Sequence, residues 1–464
     1  MDEQVRSVKK VSSPREIDMT SGNLFPKILA FSLPLMATGI LQLLFTAADM
    51  MVVGKYVGDV ALAAVGATNS LVTLLVNFFI GLSLGAGVMM SKHYGAKDAN
   101  SASKLLHTAM PVSLISGILV TFVGLFYSKD LLLLMKTPEE CLPLSIEYLS
   151  IYFLGSPFNL VFNFGAAMQR ATGDTVRPLI FLTIGGVLNV IVNLISVIAF
   201  NLGVVGVAYA TITSQAVSAV LVVVSLIRSN GFIRLNLKKL AIKKTPLLNI
   251  LKIGLPSGLQ ASLFSISNVI IQSTINEFGQ IVVAGNTAAV GIEGFVYTVM
   301  NSISQSAVTA IGQNYGAGDY TRIKQAIKKC LLFVVAAGLG AGILLFLLKK
   351  PLISLYTSSA QSAQVAYSRM TVILLTYFLL GIMDVFNNGM RGMGVSVLPM
   401  IIVLVGTCAL RVAWIYIIFP LKPEYLSVVL SYPVSWLITS IVGVVAFSIV
   451  YRMRKKQFLN NQQV

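Results

Sequence analysis

Apolar positions run along this chain in long uninterrupted stretches, not in the alternating pattern of half-buried strands or the single stripe of a soluble amphipathic helix. An α-helix needs roughly 20 such residues to cross the hydrocarbon of a bilayer. Twelve stretches reach or approach that length: 27–54, 60–90, 104–127, 145–169, 178–201, 204–228, 248–275, 281–311, 327–348, 366–390, 397–420 and 427–451. Backbone polar groups in lipid must be satisfied within their own segment, so each stretch is expected to be a helix. The pattern predicts an all-α integral membrane protein with twelve transmembrane helices.

Composition agrees: 56% of the 464 residues are hydrophobic and 11% charged, and mean hydropathy is +0.83. The formal net charge of +17 raises the question of nucleic acid, and the placement of the basic residues answers it. If the amino terminus is cytoplasmic, the inside segments hold 26 of the 34 Lys and Arg, the outside segments hold seven including Lys136 and Arg369, and Arg411 falls within a span. That asymmetry is the positive-inside signature of orientation, so no nucleic-acid partner is expected. Cys141, Cys330 and Cys408 lie far apart and suggest neither disulfides nor zinc. The polar start of the chain lacks the apolar core of a cleaved signal peptide. Both termini are expected in the cytoplasm of a cell of bacterial type, with the chain in its cell membrane.

The chain repeats itself. SKHYGAKD at 91–98 resembles GQNYGAGD at 312–319, and one shift of 221 residues carries Gly58 to Gly279, Arg170 to Arg391, Gly173 to Gly394 and Pro178 to Pro399. A shift holding six spans preserves orientation, which implies two six-helix bundles related by a pseudo-two-fold axis along the membrane normal. The expected division is a tail at 1–26, an amino-terminal lobe at 27–228, a basic linker at 229–246, a carboxy-terminal lobe at 247–452 and a tail at 453–464. Two such bundles around a cleft suit alternating access.

Ionisable side chains within a membrane are costly, about 2.5–3.5 kcal/mol for a central Asp on insertion scales, and mark function by default. Asp49, Glu293, Asp384 and Arg411 qualify. Thr38, Gln42, Phe45 and Asp49 follow one another on one face of the first span, and Asn159 with Asn163 and Asn189 with Asn193 repeat at four. Such amides line something wet or pair with each other. In the second copy Asn286, Glu293, Tyr297 and Asn301 share a face, as do Asp384, Asn387, Asn388 and Arg391. Other readings stay open: Asp49 as a helix-end carboxylate beside Lys55, Glu293 as a structural hydrogen-bonding group, Asp384 as an ion-pair partner of Arg411 or Arg391, and Arg411 as a structural counter-ion. His93 and His107 are expected to be solvated.

The stretch LAFSLPLMATGILQLLFTAADMMVVGKYVGDVALAAVG, the two YGA loops, MQRATGDTVRP after the fourth span and GLPSGLQ opening the seventh resemble the multidrug and toxic compound extrusion (MATE) transporter family over about residues 20–455. The resemblance implies a secondary antiporter that exports organic cations in exchange for protons or sodium ions. It implies a cation-coupling site from Asp49, Asn189, Asn193 and Thr211, where a sodium ion or proton would bind, although relatives of that kind carry Asp at the place of Asn193. Glu293 and Asp384 match acids used in other branches, and Gln42, Phe45, Asn163, Tyr297, Asn301 and Arg411 are further candidates for substrate binding. No cofactor, no catalytic constellation and a monomer in contact with membrane lipids are expected. A flippase or exporter of a lipid-linked or other anionic metabolite is the alternative; three acids against one membrane arginine favour the cation.

Overall fold

The computed structural model describes residues 16–135 and 137–462. The first 15 residues of the expected amino-terminal tail, Lys136 and the last two residues of the carboxy-terminal tail lie outside the described residues. The first half contains α1 Leu24–Tyr56, α2 Asp59–Gly95, α3 Ala99–Leu134, α4 Leu142–Leu154, α5 Ser156–Ala171, α6 Val176–Leu194 and α7 Gly203–Ile227. The second contains α8 Lys244–Asn276, α9 Gln280–Gly316, α10 Tyr320–Leu347, α11 Lys349–Ser354 and α12 Ala360–Gly392. It ends with α13 Val397–Val403, α14 Leu410–Ile417 and α15 Tyr425–Gln462. Single π-helical turns prolong α6 over Ile195–Ala199 and join α13 to α14 over Leu404–Ala409.

Ten helical segments among the described residues are long and apolar enough to cross a membrane. The other two expected spans differ in instructive ways. The fourth is broken at Gly155 into α4 and α5, because Pro157 lacks the N–H that would continue the ladder and Gly155 N–H turns back to the Tyr152 carbonyl. The seventh, α8, is 33 residues long, but Lys, Gln, Asn and Ser dilute its apolar character.

The chain divides into two compact units whose borders cross the sequence repeat. Unit 1 holds residues up to Asp18 and Ala37–Gly258, and unit 2 holds Met19–Met36 and Leu259–Val464. The borders after Met36 and Gly258 fall just past a proline inside a helix, Pro34 in α1 and Pro256 in α8, where one intrahelical hydrogen bond is missing. Within unit 1 the first half of α8 lies against α2 backbone to backbone. A Cβ on Gly81 would stand 2.3 Å from the Gly258 nitrogen, and one on Gly85 2.5 Å from the Ile250 carbonyl oxygen. Small residues four apart on both helices permit that approach. Within unit 2 Gly342 of α10 gives the same licence to α12, where a Cβ would stand 2.3 Å from the Leu374 carbonyl oxygen.

The 221-residue repeat is also a repeat of backbone detail. Gly58 and Gly279 precede α2 and α9 at φ 114° and 87°, Gly173 and Gly394 turn the chain at 95° and 77°, and Lys97 holds at 55° the left-handed position that Gly318 holds at 75°. Asp98 Oδ1 accepts the Ser101 backbone N–H at 3.0 Å, and Asp319 Oδ1 accepts that of Arg322 at 2.9 Å. The aspartates of GAKD and GAGD are thus N-caps of the helices that follow. Hydrogen bonding from Ser101 holds the Asp98 carboxyl below its ordinary pKa.

Candidate functional site

The site in unit 1 begins with the face of α1 that carries Phe45 and Asp49. The ring of Phe45 lies on Gly186 of α6, where a Cβ would stand 1.9 Å from Phe45 Cε2. One turn along, Asn193 Nδ2 donates to Asp49 Oδ1 at 2.7 Å. These two contacts set α1 against α6. A floor of Val52, Val53, Val197, Val204 and Val207 seals the packing beneath them, so the carboxylate works in apolar surroundings where electrostatic interactions are strong. Asn189 and Asn193 are buried on the same face of α6, and the side-chain oxygens of both have no hydrogen-bond partner among the described residues. Asp49 forms no ion pair with a described Lys or Arg. Lys55 Nζ lies 5.5 Å from the centroid of the Tyr56 ring.

The face of α6 that meets Asp49 through Asn193 therefore carries two amide oxygens with no hydrogen-bond partner among the described residues. Such an oxygen-rich set is what a hard monovalent cation or a proton requires. The π-helical turn begins two residues past Asn193, a common placement for such turns near sites. The Thr211 hydroxyl donates to the Val207 carbonyl at 3.0 Å within α7, which leaves its oxygen lone pairs available. Gln42 is exposed on α1. Asn163 Nδ2 donates to Asn159 Oδ1 at 2.8 Å, so these amides pair with each other.

Unit 2 has a different chemistry. Glu293 of α9 does not stand as a free carboxylate: Arg369 Nε donates to its Oε1 at 3.0 Å and Arg369 Nη2 to its Oε2 at 2.8 Å. Both side chains are about 95% buried, at 5% and 4% exposure. Arg369 Nη1 and the Tyr425 hydroxyl both donate to Asn286 Oδ1, at 3.1 and 2.9 Å. Arg369 is thereby moved from the outer connection, where its place near the start of the tenth span had put it, into the interior of α12. The balance of three acids against one membrane arginine is corrected with it. The signal was available: Asn286 and Glu293 are seven apart on α9 and Arg369, Tyr377 and Asp384 share one face of α12, so a buried Glu had a cation within helical register.

Asp384 makes no hydrogen bond or ion pair with any described residue, and the ion pair entertained with Arg391 or Arg411 is not formed. Arg391 instead donates to Asn388 Oδ1 at 2.9 Å and Gln260 Oε1 at 2.6 Å. Tyr297 is 43% exposed, and its hydroxyl accepts from Asn301 Nδ2 at 3.2 Å. Asn301 Oδ1 in turn accepts from Gln305 at 2.6 Å. Arg411 is 1% exposed and donates from Nε to Ser435 Oγ at 2.8 Å. Aromatic residues that sequence reasoning missed surround it: Tyr432, Trp436 and Phe264, with ring centroids 4.3, 5.6 and 5.8 Å from the guanidinium carbon.

His107 is buried, not solvated. Its Nδ1 faces the Ser103 carbonyl at 2.7 Å and its Nε2 accepts the Asn236 backbone N–H at 3.0 Å, so the ring ties the basic linker to α3. All three cysteines are buried and free.

The MatE family profile matches residues 34–195 and again 256–417. The chain is 26% identical to the probable multidrug resistance protein YoeA of Bacillus subtilis over 92% of its length and 94% of that protein. It is 25% identical to the probable multidrug resistance protein NorM of Thermotoga maritima, covering 84% of this chain and 85% of that one. Among solved structures, an outward-facing MATE family transporter of the MOP superfamily superposes at a TM-score of 0.90 with 23% identity, over 96% of this chain and 100% of the other. A MOP superfamily transporter from Pyrococcus furiosus, described as having a binding pocket of reverse polarity that suggests a different function, superposes at 0.89 with 23% identity, over 96% and 99%.

Proposed function

We propose that this chain, which belongs to the MATE family of membrane transporters, exports organic cations from the cell in exchange for protons or sodium ions. It is a multi-pass membrane protein of a family that contains no enzymes, and bacterial relatives named for multidrug resistance support a drug-like substrate. The observation that carries the coupling is Asp49, which forms no ion pair with a described Lys or Arg and accepts from Asn193 on a face of α6 whose two amide oxygens have no partner among the described residues.

One carboxylate in apolar surroundings binds either a coupling ion or an organic cation well, but not both at once. When Asp49 is ionised it attracts a lipophilic cation, and the face of Phe45 adds a cation-π contact. A proton on Asp49, or a sodium ion shared with the side-chain oxygens of Asn189 and Asn193, neutralises it and weakens that attraction. This negative linkage is what exchange requires, since a ligand with equal affinity for every state shifts none of them. Asn193 leaves the site one carboxylate, which fixes its capacity at one charge. Within unit 1 Thr211 remains a candidate for the coupling site and Gln42 for substrate binding; within unit 2 Asp384, Tyr297 and Asn301 are candidates for substrate binding. The lobes at 27–228 and 247–452, joined by the linker at 229–246, alternate access to the two faces of the cell membrane, with both termini cytoplasmic and a single chain as the working unit.

Efflux of a fluorescent aromatic cation such as ethidium from proteoliposomes, driven separately by a proton and by a sodium gradient, tests this. One gradient drives wild-type efflux, and Asp49→Asn at matched incorporation loses it. Full ion-driven efflux by Asp49→Asn would falsify the role of Asp49. A second reading, export of an anionic metabolite, draws on the burial of Arg369 and Arg411 in unit 2, and transport of an aromatic carboxylate in place of the cation would select it.

A further inference from the structure

Among the described residues of unit 2 the buried charges are two arginines, Arg369 and Arg411, and one carboxylate, Glu293. Glu293 is committed to Arg369 through both carboxylate oxygens, and among the described residues no carboxylate pairs with Arg411. Arg369 and Arg411 flank the same Tyr432 ring, at 5.1 and 4.3 Å from its centroid, so the two cations are near neighbours. An arginine cannot shed its proton. The aromatic faces around Arg411 offset part of its charge but accept no hydrogen bond in the plane of the guanidinium.

Two buried donors at this place lack an acceptor among the described residues: Arg411 Nη2 and the indole Nε1 of Trp436. The ring of Trp436, 3% exposed, has its centroid 5.6 Å from the guanidinium carbon. The contrast with Trp414 is informative, since its Nε1 donates to the Ser427 carbonyl at 3.0 Å, as a buried indole ordinarily finds a partner. A guanidinium nitrogen and an indole N–H that both lack an acceptor, on neighbouring buried side chains, call for an anion. The Ser435 hydroxyl that receives Arg411 Nε and the stacking of Tyr377 on Trp436 at 5.3 Å hold both donors in place.

We propose that Arg411 and Trp436 form a binding site for a small monovalent anion within unit 2, separate from the Asp49 site and independent of the coupling scheme. The bound chemistry is a single compact negative charge, either a halide or a carboxylate group. Anion occupancy neutralises the second buried arginine and stabilises the packing of α14 on α15.

The chain has two tryptophans, so Trp414→Phe leaves Trp436 as the only indole reporter. Iodide is titrated into this purified variant at constant ionic strength in sulfate buffer while Trp436 emission is recorded. Saturable quenching that chloride reverses is expected, and reversal by acetate as well identifies a carboxylate site instead of a halide-selective one. Adding Arg411→Gln is expected to leave only linear, collisional quenching, whereas Arg411→Lys keeps a saturable component at higher iodide. Linear quenching with Arg411 intact, or saturation that neither chloride nor acetate reverses, overturns the proposal, and neither outcome depends on whether the Arg411→Gln protein folds.

Discussion

The pair Glu293–Arg369 decides whether a membrane carboxylate in this chain serves structure or coupling, and its energetics follow from its geometry. Both side chains are about 95% buried and joined by two good hydrogen bonds. Glu293→Met leaves the Arg369 charge buried with only neutral partners, a change that costs about 3–5 kcal/mol. Arg369→Met leaves the Glu293 charge alone at a similar cost. In the double variant Glu293→Met/Arg369→Met no charge remains, and Asn286 Oδ1 still accepts from the Tyr425 hydroxyl. Replacing a buried pair by apolar groups is neutral or stabilising by about 1–4 kcal/mol in known cases, so the double variant is expected within about 2 kcal/mol of wild type. The cycle then yields a coupling energy of about 4 kcal/mol or more, above the range of about 0.5–3 kcal/mol usual for touching residues. Equilibrium unfolding in mixed micelles, read as the shift in midpoint for all four proteins, measures it, and efflux of the same four shows whether the restored protein still transports. Unchanged midpoints for Glu293→Met would refute the account of a structural ion pair. A stable double variant without ion-driven efflux would return Glu293 to the coupling machinery.

Asp319→Ala removes the cap of α10 and is expected to cost about 0.5–2 kcal/mol, seen as a lower melting temperature, with Asp98→Ala behaving alike because its cap geometry is the same. Gly85→Val sets a side chain into the Ile250 carbonyl and the Gly254 backbone of the adjoining helix and is expected to abolish folding, measured as the loss of a monodisperse peak in size-exclusion chromatography. Asp384→Asn breaks no hydrogen bond or ion pair among the described residues and is expected to leave the melting temperature unchanged, so any change in the apparent affinity for the cation in transport assays reports substrate recognition directly.

The helical architecture was legible because apolar run length and the 221-residue repeat are properties of the sequence itself. Run length is blind to a proline two residues past a glycine, which is why the fourth span was read as one helix, when Gly155 and Pro157 make it two. The Asp49 face was legible because helical spacing alone places Phe45 over Asp49 on α1 and Asn189 over Asn193 on α6. Their meeting needed tertiary contact, the bond from Asn193 to Asp49. Arg369 was misread because a basic residue near a span border looks like an outer loop until its partner Glu293 is seen. His107 was misread for the same reason, since only the fold brings the Asn236 N–H to its ring. The aromatic enclosure of Arg411 joins α8, α14 and α15, and no local pattern announces contacts of that range.

The coupling claim meets its most direct test in what leaves the protein when a drug arrives. Purified transporter in weakly buffered solution is mixed with a lipophilic cation such as tetraphenylphosphonium, and released protons, or radioactive sodium from preloaded protein, are counted per cation bound. A single carboxylate that alternates between ligands predicts release of one coupling ion per cation bound by the wild type and of none by Asp49→Asn. Equal release from the two proteins would show that the exchange takes place elsewhere.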